Sequence, residues 1–356
     1  MDQELRFVTT PDGVRICTSA LGTGESLVKA PNWLSHAGMD INSPVWRHWW
    51  AALSARHHFV RFDQRGCGLS DWVVPDMSFD RWVSDLECVV DALELERFDL
   101  LGMSQGGAVA IEYAARHPER VRRLVLYGAF ARGWAKRGEA EEHEATLTLI
   151  KRGWGSDNPA YRQLFTSQFM PDATLEQMNW FNELQQLSSS PANAMQFQIE
   201  VGNIDVTERL SQVHAPTLIF HARHDARIPF DEGRQIAASM PNARFVALES
   251  RNHILLEDDP AWPVFARELE GFLGAADEAP GRPAAVAAPA DEANLTNRET
   301  EVLQLIARGR TDRQIADELV ISVRTVGNHV KSILAKTGSA NRTAAAMYAT
   351  THGLLS

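Results

Sequence analysis

The stretch with the most chemistry in it is Gly102-Met103-Ser104-Gln105-Gly106-Gly107. An apolar run, Phe98–Leu101, leads into it and a helical pattern, Ala108–Arg116, follows. GxSxG between a strand and a helix places the serine in a tight, strained turn and leaves its hydroxyl exposed. A serine hydroxyl attacks a carbonyl only when a base takes its proton and an acid orients that base. With this turn the chain order is serine, acid, histidine. Asp225, after the apolar run Thr217–His221, and His253, after Arg244–Leu248, fill those places. Both sit just past the carboxyl ends of predicted strands, where a parallel sheet leaves a crevice. The residues predict Ser104 as nucleophile, His253 as base and then acid, and Asp225 as its orienter. No metal-ligand spacing and no phosphate-binding loop occurs in the sequence, so neither a metal nor a cofactor is expected.

The elements that must position these groups are short apolar runs alternating with helical patterns. Strands are predicted at Leu5–Thr9, Val14–Ser19, Leu27–Ala30, Phe59–Asp63, Phe98–Met103, Val121–Gly128, Thr217–His221 and Arg244–Leu248, with a Pro11-Asp12-Gly13 turn between the first two. Helices between most of the later strands are the crossovers a parallel sheet requires, which makes the class α/β. The long segment 131–210 breaks this rhythm: it is helical in pattern, rich in Trp and Phe, and reads as a lid over the carboxyl edge of the sheet. Asn32 and Trp33 at the mouth, with Trp134, Trp154, Phe165, Phe169, Trp180 and Phe181 in the lid, are the candidate ligand wall. Collectively they favour a small apolar or aromatic ligand over a sugar or phosphate.

Over residues 5–274 the chain resembles the α/β-hydrolase fold, through the elbow and through Asp63-Gln64-Arg65-Gly66-Cys67-Gly68-Leu69-Ser70-Asp71, which is similar to that family's D-x-R-G-x-G-x-S-D loop. The resemblance implies a structural role for that loop. It also implies an oxyanion hole made by the backbone N–H groups of Gln105 and Trp33. Where many relatives carry His-Gly after the third strand, this chain has Pro31-Asn32-Trp33, which leaves the substrate class open. Serine rather than aspartate at 104 disfavours the haloalkane dehalogenase version of the fold.

A chain of 356 residues is long enough for about two domains, and 44% hydrophobic with 23% charged residues is the composition of a globular protein. No run approaches the ~20 apolar residues of a membrane span, and the acidic start gives no signal peptide. Three cysteines without CxxC spacing exclude a disulfide framework and fit a cytoplasmic location. The net charge of -11 is unevenly placed: residues 1–274 also carry -11, residues 275–293 carry -3, and residues 294–356 carry +3. An acidic body with a basic tail points to a separate nucleic-acid-binding module. Between them the sequence 275–293, almost wholly Ala, Pro, Gly and acid, cannot build a core and reads as a linker.

In the tail, Thr296-Asn297-Arg298-Glu299 is a capping box opening a helix with Val302, Leu303, Leu305 and Ile306 inward, closed by Gly309. Thr311-Asp312-Arg313-Gln314 opens a second helix, with Ile315, Ala316 and Leu319 inward. Ser322 caps a third, with Val326, Val330, Ile333 and Leu334 on one face and Arg324, Thr325, Asn328, Lys331 and Ser332 on the other. That arrangement is a small all-α helix-turn-helix unit. Leu295-Thr296-x-Arg298-Glu299-x-Glu301-Val302-Leu303, Ser322-x-x-Thr325-Val326-x-x-His329-Val330-x-x-Ile333 and Lys336 resemble the LuxR-type family. The resemblance implies double-stranded DNA as partner, base contacts from Asn328 and Lys331, and backbone contacts from Arg324 and Thr325. Gly327 departs from the family, which usually carries a polar or charged residue there. The segment Arg342–Thr351 is similar to the family's dimerisation helix, implying a homodimer.

The expectation from sequence is a one-component transcriptional regulator. Residues 1–274 would sense, and as a serine hydrolase cleave, an ester- or lactone-like ligand, and residues 294–356 would bind DNA. A pocket that only binds its ligand remains open, as does a metabolic serine hydrolase with a vestigial tail.

Overall fold

Eight segments carry the alternating or continuous apolar runs that strands need, and all eight pair into one sheet. The computed structural model describes residues 2–275, 295–307, 310–319, 321–337, 345 and 349. Contacts divide the chain into two units, Met1–Ala276 and Asp277–Ser356. The expected linker, Gly309 and most of the predicted last helix lie outside the described residues.

In the first unit the strands are β1 (Glu4–Thr9), β2 (Arg15–Leu21), β3 (Glu25–Lys29), β4 (His57–Phe62), β5 (Phe98–Met103), β6 (Val121–Tyr127), β7 (Thr217–Ala222) and β8 (Ala243–Leu248). Their spatial order is β1-β2-β4-β3-β5-β6-β7-β8. Pairs β1–β2 and β2–β4 are antiparallel, and every pair from β4 to β8 is parallel. β5 and β7 are buried at every position, as expected of strands covered on both faces. β1, at the sheet edge, is largely exposed.

The helices α1 (Ala37–Asp40), α2 (Arg47–Ser54), α3 (Phe79–Ala92) and α4 (Gln105–Arg116) connect the strands from β3 to β6. Five more fall between β6 and β7: α5 (Trp134–Arg137), α6 (Ala140–Gly153), α7 (Ala160–Phe169), α8 (Leu175–Ser188) and α9 (Pro191–Asn203). Then come α10 (Phe230–Ser239) before β8 and α11 (Trp262–Leu273) after it. The inserted helices are tied to the loops of the sheet. Ser189 Oγ and Asn193 Nδ2 both donate to the Gly66 carbonyl, and the Gly68 N–H donates to the Ser188 carbonyl. The loop they hold is itself pinned from below: Arg65, fully buried, pairs with Asp85 at 2.6 Å and Asp12 at 2.9 Å. The loop therefore serves packing, and Arg65 has no free face for a ligand.

In the second unit α12 (Asn297–Ala307), α13 (Asp312–Leu319) and α14 (Val323–Thr337) close over Val302, Leu303, Ile306, Ile315, Ala316, Val326 and Ile333. Both capping boxes form: Thr296 Oγ1 accepts from the Glu299 N–H, and Thr311 Oγ1 from the Gln314 N–H. Ala345 and Ala349 are buried in the same core.

Candidate functional site

Ser104 closes β5 and caps α4 with φ +52° and ψ −128°. A non-glycine residue with positive φ is strained and persists only when its surroundings over-determine it. Here the Ser104 N–H donates to the Tyr127 carbonyl at 3.0 Å, and the Gly107 N–H to the Ser104 carbonyl at 2.9 Å. The turn also needs Gly106, where a Cβ would come within 2.6 Å of the Pro31 carbonyl oxygen. The result leaves the Ser104 side chain partly exposed at the N-terminus of a twelve-residue helix, whose dipole favours negative charge there.

Asp225 and His253 come from the loops after β7 and β8 and meet, with His253 Nδ1 2.7 Å from Asp225 Oδ2. The sequence Asp225-Ala226-Arg227-Ile228-Pro229 folds into an Asx-type turn: Asp225 Oδ1 accepts the N–H groups of Arg227 and Ile228 at 2.8 and 2.9 Å. Burial pushes the Asp225 carboxyl up. The neighbouring His253, with His221 and the Ile228 N–H, outweighs burial and leaves it below the ordinary carboxylate value. His253 is held by its backbone, whose N–H donates to the Phe169 carbonyl at 2.8 Å, and its ring meets the Phe169 ring edge-on at 5.5 Å. Behind it Asp259 accepts from Ser250 Oγ and Asn252 Nδ2. With a proton on Nδ1 shared with Asp225, Nε2 is the basic nitrogen. Ser104 and His253 border the same small cavity, together with Asn32, Trp33, Phe169 and Phe181.

A second cavity of about 200 Å³ opens beside Ser104 and Gln105. Trp33, Trp134 and Phe169 line it, as the aromatic reading expected. Trp154, Phe165 and Trp180 border neither cavity. Trp154 and Phe165 pack behind Trp33, at ring distances of 5.1 and 6.3 Å, and Trp180 packs against the core. Periodicity could not separate rings that form the wall from rings that support it. The wall is also less apolar than the sequence reading held, because Gln168, Gln198, Arg137, Glu139 and Arg227 contribute to it. Asn32 is held from beneath by the Lys29 ammonium, which burial, aided by Arg61, pushes down to about 7.

Gly128 went unnoticed in the sequence. It ends β6 at φ +54°, and a Cβ there would sit 2.8 Å from His253 Cε1. A glycine at a strand end gives no warning of a histidine 125 positions later in the chain.

On the tail unit Asn328 and Lys331 are exposed on one side of α14. The Arg324 side chain lies outside the described ones. Thr325 Oγ1 lies 2.7 Å from Ser322 Oγ, so its hydroxyl takes part in the helix cap. Ser332 is a correction: its hydroxyl turns inward and donates to Glu299 Oε1 at 2.6 Å. The buried Glu299 carboxylate, reached also by Lys336 at 2.7 Å, draws it off the outer face. At Gly327 an added Cβ would meet nothing within 4 Å, so the glycine there answers no packing need.

Comparison with known proteins places both units. The family model described as alpha/beta hydrolase fold matches residues 34–168, and that of bacterial regulatory proteins of the luxR family matches residues 293–349. The chain is 26% identical over 260 residues to the AB hydrolase superfamily protein YisY of Bacillus subtilis, covering 69% of this chain and 91% of that protein. Among solved structures it resembles an esterase from Exiguobacterium antarcticum, with 23% identity, a TM-score of 0.64, and 76% and 99% of the two chains covered. A bromoperoxidase from Bacillus anthracis superposes with the same TM-score of 0.64 at 23% identity, covering 76% of this chain and 100% of that one. At such identities the structural likeness is one of fold. No described helix is long and apolar enough to cross a membrane. The chain therefore joins a domain of the α/β-hydrolase superfamily to a C-terminal domain of the bacterial LuxR regulatory family.

Proposed function

We propose that the chain is a one-component transcriptional regulator whose hydrolase domain recognises and cleaves a small ester- or lactone-like ligand and whose LuxR-type domain binds double-stranded DNA as a homodimer. The observation that carries the enzymatic half is the 2.7 Å approach of His253 Nδ1 to the buried Asp225, with His253 and the strained Ser104 on one cavity. In the reaction, Ser104 Oγ bonds to the ligand's carbonyl carbon while its proton passes to His253 Nε2. The tetrahedral oxyanion would be met by the backbone N–H groups of Gln105, at the α4 N-terminus, and of Trp33, in the loop after β3. Collapse breaks the bond to the leaving oxygen, which takes the proton from His253. Water, deprotonated by the same nitrogen, then releases the acid and restores Ser104. Asp225 keeps its charge throughout and holds the imidazole in the useful tautomer.

Fluorophosphonate labelling tests this half. The wild type is expected to label at a single serine, and Ser104→Ala to lose the label while keeping its fold. A folded wild type that does not label would favour a receptor pocket without turnover. For the regulatory half, the support is Asn328 and Lys331 exposed on α14 within a domain of a DNA-binding family. A specific observation favours a second reading, a metabolic hydrolase with an inactive tail. Gly327 leaves open space on α14 and Ser332 is used internally, so this helix offers fewer polar contacts than the sequence promised.

A further inference from the structure

Among the described residues, the cavity beside Ser104 holds one cation that makes no ion pair with a carboxylate. Among its described lining residues are two arginines and one glutamate. Arg137 is satisfied: it meets both Glu139 carboxylate oxygens, at 2.9 and 2.8 Å, and the Arg132 carbonyl at 2.6 Å. Arg227 is not. Its guanidinium lies over the Phe169 ring at 5.6 Å and donates to two neutral amide oxygens, Gln168 Oε1 at 3.1 Å and Gln198 Oε1 at 3.3 Å. A guanidinium has five N–H donors in a planar fork shaped for a carboxylate, and neutral oxygens supply none of the countercharge. Burial, reinforced by Arg137 and only partly opposed by the Asp225 and Glu139 carboxylates, pushes the group down to about 10. Its backbone N–H donates to Asp225 Oδ1, so Arg227 is anchored two residues from the carboxylate that orients His253.

We propose that Arg227 is a specificity-determining residue that binds a carboxylate on the ligand, so that the cognate molecule is a small carboxylic acid carrying, elsewhere, the ester or lactone carbonyl presented to Ser104. The aromatic surfaces of Trp33, Trp134 and Phe169 take the body of the molecule, and Arg227 takes its anionic end. The cavity's 200 Å³ exceeds the ~150 Å³ that admits benzene, enough for a compact acid and too little for a long chain. The cleavage half of this inference rests on the hydrolase reading above; the anion site does not.

The test compares matched ester pairs. Mono-4-nitrophenyl glutarate and 4-nitrophenyl pentanoate differ by a carboxylate or a methyl at the acyl end, and 4-acetoxybenzoate and phenyl acetate differ at the leaving group. In at least one pair the wild type is expected to prefer the acid by kcat/KM. Arg227→Gln should lower that preference about 10–100-fold, the span of a lost charge-assisted contact, with Arg227→Lys intermediate. A wild type without preference, or a preference that Arg227→Gln leaves unmoved, overturns the proposal. Should Arg227→Gln fail to fold, Arg227→Lys alone decides: an undiminished preference overturns it. If the wild type neither labels with fluorophosphonate nor turns over any of the esters, hydrolysis has failed and the anion site is read by binding. Glutarate should then quench Trp33 and Trp134 fluorescence with at least tenfold weaker affinity in the variant. Equal affinity, or no binding by the wild type, contradicts it.

Discussion

At Ser104 the backbone itself is strained, with φ +52°, and the strain is held by hydrogen bonds to Tyr127 and Gly107. Asp225 and His253, its partners in the proposed triad, are fixed by hydrogen bonds. These bonds make distinct predictions. Asp225→Asn keeps the volume but removes the acceptor that sets the His253 tautomer, so esterase kcat is expected to fall by about four orders of magnitude with little change in Tm. A loss below tenfold would mean that His253 does not depend on Asp225. Gly128→Ala adds a Cβ 2.8 Å from the imidazole and places alanine at φ +54°. It should destabilise the fold by about 1–3 kcal/mol in urea titration and lower kcat more than it raises KM. The meeting of Asp225 with His253, on one cavity with Ser104, was legible because the proposed chemistry dictates residue type and chain order. Arg227 was not: a lone arginine in a loop reads as a solvated charge until the fold turns it over Phe169.

At the scale of elements, all eight strands were legible to within about two residues at either end, and the central ones best, because burial on both faces imposes continuous apolar runs such as Phe98–Met103. The tail helices were legible from their capping boxes for a similar reason, since orphan N–H groups must find acceptors. Side-chain direction on α14 was harder to read. Ser332 is on the edge of the apolar stripe, and only the position of Glu299 on α12 decides that it turns inward. That contact carries a pH signature. Burial raises the Glu299 carboxyl, but the bonds from Lys336, Ser332 and Thr296 outweigh it and hold it at about 2, against 4.5 for an ordinary glutamate. A depressed carboxylate stabilises the fold above its unfolded value and loses that contribution as pH falls through the folded one. The tail should therefore lose stability between about pH 4.5 and 2. Glu299→Gln should be less stable than wild type at pH 7 and nearly flat across that window. Urea titrations of the full chain, followed by the amide signals of α12 and α14, would detect it. Identical acid profiles would mean that Glu299 does not link these helices.

Across the whole molecule, charge and composition suggested an acidic body over 1–274 and a basic tail over 294–356, while the contacts divide the chain into Met1–Ala276 and Asp277–Ser356. Composition could not name the ligand, because a cavity's chemistry depends on which side chains from the loop after β3, from α4, α5, α7 and α9, and from the Asp225 loop converge. In the proposed function one unit carries catalysis or ligand recognition and the other carries DNA recognition. Selection of operator sequences with the full chain, followed by titration of the wild type and Asn328→Ala and Lys331→Ala variants on the selected duplex, tests it most directly. The account predicts a defined paired half-site, and a loss of about 1–3 kcal/mol for each variant that removes a base contact. Failure to enrich any sequence, or equal affinity of all three proteins for selected and random DNA, would contradict it.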